Sequence, residues 1–198
     1  MDRFSHSVFR SLFIQASQEL VFRFFSDSER WARWWGAGST IDAREGGRVS
    51  IRYPNGVQAV GEVLELRAPE RIVFTYGYES GTPIALNGSR VTIVLASEGS
   101  GTRMKLQHDF EDSAIRDEFI QGWRFQLSVF ANVVANEANT AATDRVDDWF
   151  AACSSDEAAV RESVFGKIVA SSVSFRDRFS ALEGVEELLA HTRAMQRF

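Results

Sequence analysis

Residues 112–136 read DSAIRDEFIQGWRFQLSVFANVVAN, and this stretch decides the fold because it predicts one long amphipathic helix. Asp112 and Ser113 are favourable N-cap residues. The apolar side chains that follow recur at helical spacing and form one stripe, which consists of Ile115, Phe119, Trp123, Leu127, Phe130 and Val134. So aromatic a stripe needs a concave apolar partner. We expect the preceding strands to form a sheet that wraps around the helix and leaves a ligand cavity between the sheet and the helix.

The segment before this helix, residues 39–110, shows the two-residue period of β-strands. Pro54-Asn55-Gly56 is a strong turn signal, and a second hairpin is predicted around Gly99-Ser100-Gly101. With a first strand at 8–14, the sequence predicts six or seven antiparallel strands and short helices at 17–25 and 29–35. This order of elements indicates an α+β layer architecture.

Composition narrows the classes of partner. The chain has 198 residues, a net charge of -5 and a sequence pI near 5.3, so nothing favours binding to nucleic acid or an anionic membrane. The single cysteine, Cys153, cannot form an internal disulfide. No signal peptide or membrane-spanning run is recognisable. We therefore expect a soluble, cytoplasmic protein.

The last part of the chain forms a separate segment in this interpretation. Residues 1–138 are predicted to be one domain, the polar stretch 139–143 a linker, and 144–198 a mostly helical tail with a short strand at 173–175. A helix is predicted at 144–152, another at 156–169, capped by Ser155, and a last one at 183–196. A tail of this length is near the lower size limit for an independent core. We therefore expect it to dock on the first domain, to pair with another chain in a homodimer, or to be part of something longer.

Residues 7–136 resemble the START-like, or SRPBCC, superfamily, and within it the group named after the activator of the Hsp90 ATPase. The resemblance depends on an ordered series of motifs. They are Glu19-Leu20-Val21-Phe22, Trp31-Ala32-Arg33-Trp34-Trp35, Gly46-Gly47, Gly61-Glu62-Val63-Leu64-Glu65-Leu66, Ala68-Pro69-Glu70-Arg71, Leu106-Gln107-His108 and Gly122-Trp123. It implies the helix-grip fold, in which an antiparallel sheet curves around a long C-terminal helix with a cavity between.

The tail resembles the opening of SnoaL-like proteins in the nuclear-transport-factor-2-like superfamily. The residues that carry this resemblance are Val146-Asp147-Asp148-Trp149-Phe150, Val173-Ser174-Phe175-Arg176-Asp177 and Phe179-Ser180-Ala181-Leu182-Glu183-Gly184. That family continues into a long curved sheet, which this chain lacks. The tail is therefore interpreted as a partial domain to which no catalytic residue can be transferred.

The predicted ligand-binding residues are aromatic or polarisable side chains expected to face the cavity. They are Trp34, Trp35, Tyr53, Phe74, Tyr76, Met104, His108, Phe119, Trp123 and Phe130. Aromatic rings suit a planar apolar ligand, and tyrosine hydroxyl groups supply the few polar contacts that such a site needs. The alternative is that these rings meet in the centre, fill the space completely and leave no cavity.

His108 is the one candidate for acid/base chemistry. It could orient a carbonyl or hydroxyl group of the ligand or act as a general base, but a core histidine with an ordinary hydrogen-bond partner explains it equally well. His6, His108 and His191 do not fall at metal-ligand spacing, so neither a metal nor a cofactor is predicted. No nucleophile motif or phosphate-binding loop is present.

The sequence thus favours binding of a small apolar or aromatic molecule without catalysis. A polyketide cyclase or aromatase type of enzyme, with His108 or a tyrosine as acid/base, is the first alternative, because both superfamilies include cyclases. A chaperone-associated or stress-response interaction role, implied by the name of the family, is the second.

Overall fold

The computed structural model describes residues 3–176 and 180–195. The chain divides into two compact units, Met1–Ala138 and Asn139–Phe198. The described part of the first unit consists, in chain order, of β1 (His6–Ile14), α1 (Gln18–Arg23), α2 (Ser28–Trp35), β2 (Thr40–Ile41), β3 (Arg48–Arg52), β4 (Gln58–Arg67), β5 (Arg71–Tyr78), β6 (Ser89–Glu98), β7 (Gly101–Phe110) and α3 (Ser113–Ala138).

The strands form one seven-stranded antiparallel sheet in the order β1-β7-β6-β5-β4-β3-β2. Neighbours along most of the sheet are joined by short turns, as at Pro54-Asn55-Gly56, where Gly56 has a φ of 84° that favours glycine. The first strand instead pairs with the last, so that His6 lies opposite Phe110. The predicted α+β helix-grip fold is confirmed.

The long helix α3 begins where the sequence predicts it. Oδ1 of Asp112 accepts hydrogen bonds from the backbone N–H groups of Ala114 at 2.7 Å and Ile115 at 3.1 Å, and so caps the helix. The apolar stripe of α3 joins one core with the inner face of the sheet; its fully buried members are Trp123, Leu127, Phe130 and Val134. Burial of this stripe against the sheet holds the helix in place.

The two short helices close one end of this core. Ser17 caps α1 and Asp27 caps α2, each through its side-chain oxygen. The α2 helix buries Trp31, Trp34 and Trp35. Its position relative to α3 is reinforced because Arg30 and Arg33 both pair with Glu137.

The second unit is a small helical assembly. Its described elements are α4 (Thr140–Ser154), α5 (Ala158–Ile168), β8 (Ser174–Arg176), β9 (Ala181–Glu183) and α6 (Gly184–Met195), and β8 and β9 form a two-stranded sheet. Ala152, Phe165 and Leu188 form its buried centre, and Trp149 and Phe175 pack against them. This unit has a hydrophobic core of its own, though a small one.

Two details of the tail correct the sequence interpretation. The stretch predicted as a linker is helical from Thr140 onward, because its alanines are strong helix formers despite the polar residues between them. The β9 strand was not predicted. Asp177, Phe179 and Gln196, which belong to the predicted tail motifs and last helix, lie outside the described residues. The similarity of the tail to SnoaL-like proteins stays a prediction.

Candidate functional site

A cavity of about 590 Å³ lies in the first unit, between α3 and the loops at one end of the sheet. The C-terminal residue of α2 and the adjoining strand residues form its back wall: Trp35, Tyr53, Tyr76 and Tyr78. Helix α3 forms one side with Glu118, Phe119, Gly122, Trp123, Phe125 and Gln126. The loops β3–β4 and β5–β6 form the rest with Asn55, Val57, Ser80, Thr82 and Pro83.

The structure brings five of the ten predicted ligand-binding residues to this cavity, namely Trp35, Tyr53, Tyr76, Phe119 and Trp123. Four of them contribute aromatic contacts to one another: the rings of Trp35 and Trp123 lie 5.7 Å apart, and those of Tyr76 and Phe119 lie 5.7 Å apart. Both contacts are edge-to-face. This mutual packing makes the wall rigid and mostly apolar. Contact of these residues with a ligand stays a prediction.

The other five predicted residues lie in the core and do not line the cavity; they are Trp34, Phe74, Met104, His108 and Phe130. Phe130 stacks on Phe25 with ring centroids 4.9 Å apart and meets Trp34 edge-on at the same distance. Around Phe130 the space is thus filled by rings from α1 and α2. The inner side of α3 is therefore filled by aromatic rings near Phe130 and borders the cavity near Phe119.

His108 is completely buried behind the cavity wall. Nε1 of Trp123 donates a hydrogen bond to Nδ1 of His108 at 3.0 Å. An indole N–H can only donate, so Nδ1 accepts and the neutral ring carries its proton on Nε2. That proton is donated to Oγ of Ser89 at 2.8 Å, and Ser89 in turn donates to the carbonyl oxygen of Tyr76 at 2.9 Å.

Burial lowers the pKa of His108 well below its usual range, so the ring stays neutral near pH 7. Both ring nitrogens are occupied by these hydrogen bonds, and the side chain does not reach the cavity surface. His108 therefore positions Trp123 and the β5 strand. This geometry does not support the predicted role as general base.

All three tyrosines of the chain line the cavity. The hydroxyl oxygens of Tyr53 and Tyr76 lie 3.0 Å apart and share a hydrogen bond, and the ring of Tyr78 meets that of Tyr76 edge-on at 5.6 Å. Burial raises the pKa of Tyr53 and Tyr76 above the ordinary tyrosine value. Both hydroxyl groups are therefore neutral hydrogen-bonding groups at any physiological pH.

The rim of the cavity exposes apolar surface. Phe125 is 68% exposed and Val57 is 39% exposed, and both line the opening. Glu118, an exposed residue of α3, is the carboxylate among the described lining residues, which include no lysine or arginine. A ligand at this site meets aromatic rings and neutral polar groups inside, and one negative charge at the edge.

Sequence reasoning missed two residues of α3 that shape the cavity. Gly122 lines it, and a Cβ atom there would have no neighbouring atom within 4 Å, so the glycine leaves the space open. Gln126 is buried and its Nε2 donates to the backbone oxygen of Trp34, which holds the end of α2 against α3. Gly122 precedes Trp123 in one of the motifs that carry the family resemblance, and Gln126 lies about one helical turn after Trp123. Both residues could therefore have been predicted to lie near the cavity.

A larger concavity, about 920 Å³, lies on the opposite face of the sheet. Its walls carry charged side chains that already pair with one another, such as Arg71 with Glu65 and Arg90 with Asp109. Paired charges on an open strand surface do not form an enclosed apolar site. The smaller cavity is therefore the candidate functional site.

The described residues, 3–176 and 180–195, contain no group of three or more histidine, cysteine, aspartate or glutamate side chains that could hold a metal ion. None of the helices there is both long and apolar enough to cross a membrane. The predicted cytoplasmic location stays a prediction.

The fold and the cavity define a helix-grip protein whose long helix lies across a curved antiparallel sheet. More particularly, the chain belongs to the family described as activator of Hsp90 ATPase homolog 1-like protein, whose model matches residues 15–135. The match covers more than half of the chain and ends just before the end of α3. A comparison with curated proteins finds no match.

Solved structures share this fold. CalU16 from Micromonospora echinospora is 27% identical with a TM-score of 0.55, over 73% of this chain and 86% of CalU16. The Aha1 dimer from Colwellia psychrerythraea is 14% identical with a TM-score of 0.55, over 68% of this chain and 96% of that one. DynU16, from the dynemicin biosynthetic locus, is 15% identical with a TM-score of 0.58, over 68% of this chain and 49% of DynU16.

Proposed function

We propose that this protein binds a small, mostly apolar molecule with aromatic character in the cavity beside α3. The observation that carries the proposal is the cavity itself, which is lined by Gly122 and Trp123 of α3, by Tyr76 and by the loops β3–β4 and β5–β6. A cavity of about 590 Å³ with aromatic walls and a few neutral polar groups is typical of a small-molecule site.

The apolar rim supports the same proposal. Phe125 and Val57 expose apolar surface that a bound ligand would cover. Burial of such surface contributes about 25 cal/mol per Å² to the free energy of binding. Similarity to CalU16 and DynU16, the latter from a biosynthetic locus, is consistent with a small-molecule partner.

The cyclase or aromatase alternative has less support from the geometry. His108 is hydrogen-bonded on both ring nitrogens behind the wall, and Glu118 stands on the exposed rim. The neutral tyrosine hydroxyl groups are the remaining acid/base candidates, and the raised pKa values of Tyr53 and Tyr76 make these two groups weak acids and leave no phenolate to act as a base near pH 7. A binding role needs none of these groups to transfer a proton.

The experiment that tests the proposal compares two glycine variants of the full chain. Gly122→Leu places a side chain in the cavity, whereas Gly166→Leu makes the same change in α5, where a Cβ atom also has no neighbour within 4 Å. Small molecules that co-purify with the wild-type protein are identified by mass spectrometry and their affinities are measured with both variants.

We expect Gly122→Leu to weaken binding at least tenfold and Gly166→Leu to leave it unchanged. Both variants should be as stable as the wild type or more stable, because leucine is a better helix former than glycine by about 0.5–1 kcal/mol. Equal binding by the two variants would show that the ligand lies elsewhere, and the proposal would be wrong.

The predicted homodimer and the predicted chaperone-associated role can each be tested on the full chain. The Colwellia protein named above was solved as a dimer. Light scattering of the full chain tests the oligomeric state: a monomer at working concentration contradicts the dimer. A pull-down that recovers no chaperone contradicts the interaction role, which no feature of the cavity favours.

A further inference from the structure

The tyrosine hydroxyl groups of the cavity always leave one hydrogen atom to donate. Tyr53 and Tyr76 share one hydrogen bond at 3.0 Å, and Tyr78 adjoins Tyr76. Two linked hydroxyl groups carry two hydrogens for one bond, and a row of three carries three hydrogens for two bonds. One O–H therefore remains, whichever way each bond points, because raised pKa values keep the hydroxyl groups of Tyr53 and Tyr76 protonated.

A second donor lies on the same wall. The side chain of Trp35 lines the cavity, and its Nε1 atom is buried without a hydrogen-bond partner in the part of the chain that the structure describes. The ring of Trp35 lies 6.1 Å from that of Tyr53. Buried donors in native proteins are nearly always paired, so this indole N–H is a second donor of the cavity wall that has no acceptor among the described residues.

The other tryptophans of this core show the contrast. Nε1 of Trp31 donates to the backbone oxygen of Ser50, and Nε1 of Trp34 donates to that of Phe24. Trp123 donates to His108. Among the four tryptophans of the first unit, only the indole N–H of Trp35 has no described partner, and Trp35 lies at the cavity. Among these four tryptophans, the one whose N–H lacks a described partner is thus one of the two that line the cavity.

We infer that the ligand is an uncharged planar molecule with a carbonyl or phenolic oxygen. This oxygen accepts a hydrogen bond from the spare hydroxyl hydrogen of the three neighbouring tyrosines, Tyr53, Tyr76 and Tyr78. This inference depends on the proposed function, which it makes more specific. The lining residues that the structure describes include no lysine or arginine, and Glu118 is negative, so a carboxylate ligand gains no charged partner. Neutral donors in an apolar cavity select an uncharged oxygen acceptor.

The test uses three ligands with nearly the same ring system: fluorene, 9-fluorenone and 9-fluorenecarboxylate. Their affinities for the full chain are measured by equilibrium dialysis near pH 7. Fluorenone differs from fluorene by one carbonyl oxygen, so its preference reports the hydrogen bond. We expect fluorenone to bind about 3- to 10-fold tighter than fluorene, as one neutral hydrogen bond allows. The carboxylate should bind most weakly.

Variants identify the donor. The triple variant Tyr53→Phe, Tyr76→Phe, Tyr78→Phe has no hydroxyl hydrogen to donate, and its preference for fluorenone should fall to within about twofold of unity. The control variant Ser128→Ala removes an exposed hydroxyl group of α3 that does not line the cavity, and it should keep the preference. Thermal unfolding shows whether each variant is folded. Should the triple variant fail to fold, the three wild-type affinities still decide the question.

The outcomes separate this inference from the proposed function. Equal binding of fluorene and fluorenone overturns the inference and leaves the proposed function standing. Tightest binding of the carboxylate, or a preference for fluorenone that survives the triple variant, also overturns it. Failure of all three ligands, together with the absence of any co-purifying molecule that Gly122→Leu displaces, overturns both.

Discussion

Nε1 of Trp123 lies 3.0 Å from Nδ1 of His108, and this hydrogen bond joins the cavity wall on α3 to the sheet. Both partners are buried, Trp123 to 3% exposure and His108 completely. A charged imidazole could not accept this bond, since both of its nitrogens would carry protons. The wall therefore depends on a neutral His108.

Stability should fall as the pH drops below the usual histidine pKa of about 6.5. Burial lowers the pKa of His108 in the folded protein, so the unfolded chain binds a proton in a pH range where the folded protein does not. The stabilising contribution is complete above the unfolded pKa and is lost toward lower pH, by up to about 1.4 kcal/mol per pH unit. Urea unfolding measured from pH 8 to about pH 5 checks the slope.

His108→Gln provides the control for this pH effect. Glutamine does not titrate, so the part of the slope that His108 contributes should disappear, on top of a general loss of stability. An unchanged slope in the variant would show that other groups cause the pH dependence.

Trp123→Phe should be more destabilising than Trp35→Phe, although both residues are buried and line the cavity. The first change leaves Nδ1 of His108 buried without a donor, which costs about 1–3 kcal/mol. The second removes an indole N–H that has no described partner. The free energy of unfolding in urea measures both. Equal losses would contradict the assignment of these two nitrogens.

Phe130→Ala and Phe119→Ala should separate the plugged end of α3 from the open one. Phe130 is fully buried among Phe24, Phe25 and Trp34, so its truncation should lower the free energy of unfolding by about 3–5 kcal/mol. Phe119 is half-buried at the cavity, so its truncation should weaken ligand binding more than stability. Unfolding and affinity are measured for each. The reverse pattern would place the cavity at Phe130.

Asp112→Ala should lower stability by about 0.5–2 kcal/mol, because its carboxylate caps α3 at Ala114 and Ile115. Asp117→Ala is the matched control, because it also removes a carboxylate near the start of α3. Asp117 is exposed and pairs with its neighbour Arg116, and such a surface ion pair contributes about 0–1 kcal/mol. Thermal unfolding compares them. A smaller effect at Asp112 than at Asp117 would contradict the capping role.

Much of the fold could be predicted because its signals are local. The period of the stripe on α3, the caps at Ser17, Asp27 and Asp112, and the turn at Pro54-Asn55-Gly56 each depend on residues close in sequence. The tail was harder because its signals conflict. The alanines after Asn139 favour a helix, while the asparagine and threonines resemble a linker.

The site was only half predictable. Phe119, Trp123 and Phe130 lie on one helical stripe, and periodicity places all three on the inner side of α3. It cannot say what stands opposite each one. Likewise, alternation along β7 places His108 on the inner face but does not reveal that Trp123 and Ser89 occupy both of its nitrogens.

The sequence by itself therefore determined the main elements of the first unit, its family and the inner face of its sheet and long helix, because propensity, capping and periodicity act between neighbours along the chain. The tertiary structure decided where the core is filled and where it stays open. That depends on segments distant in sequence, since Phe25 and Trp34 pack on Phe130 whereas Gly122 leaves space beside Tyr76. Volume left over between packed elements is a property of the whole arrangement, so only the folded chain defines the cavity.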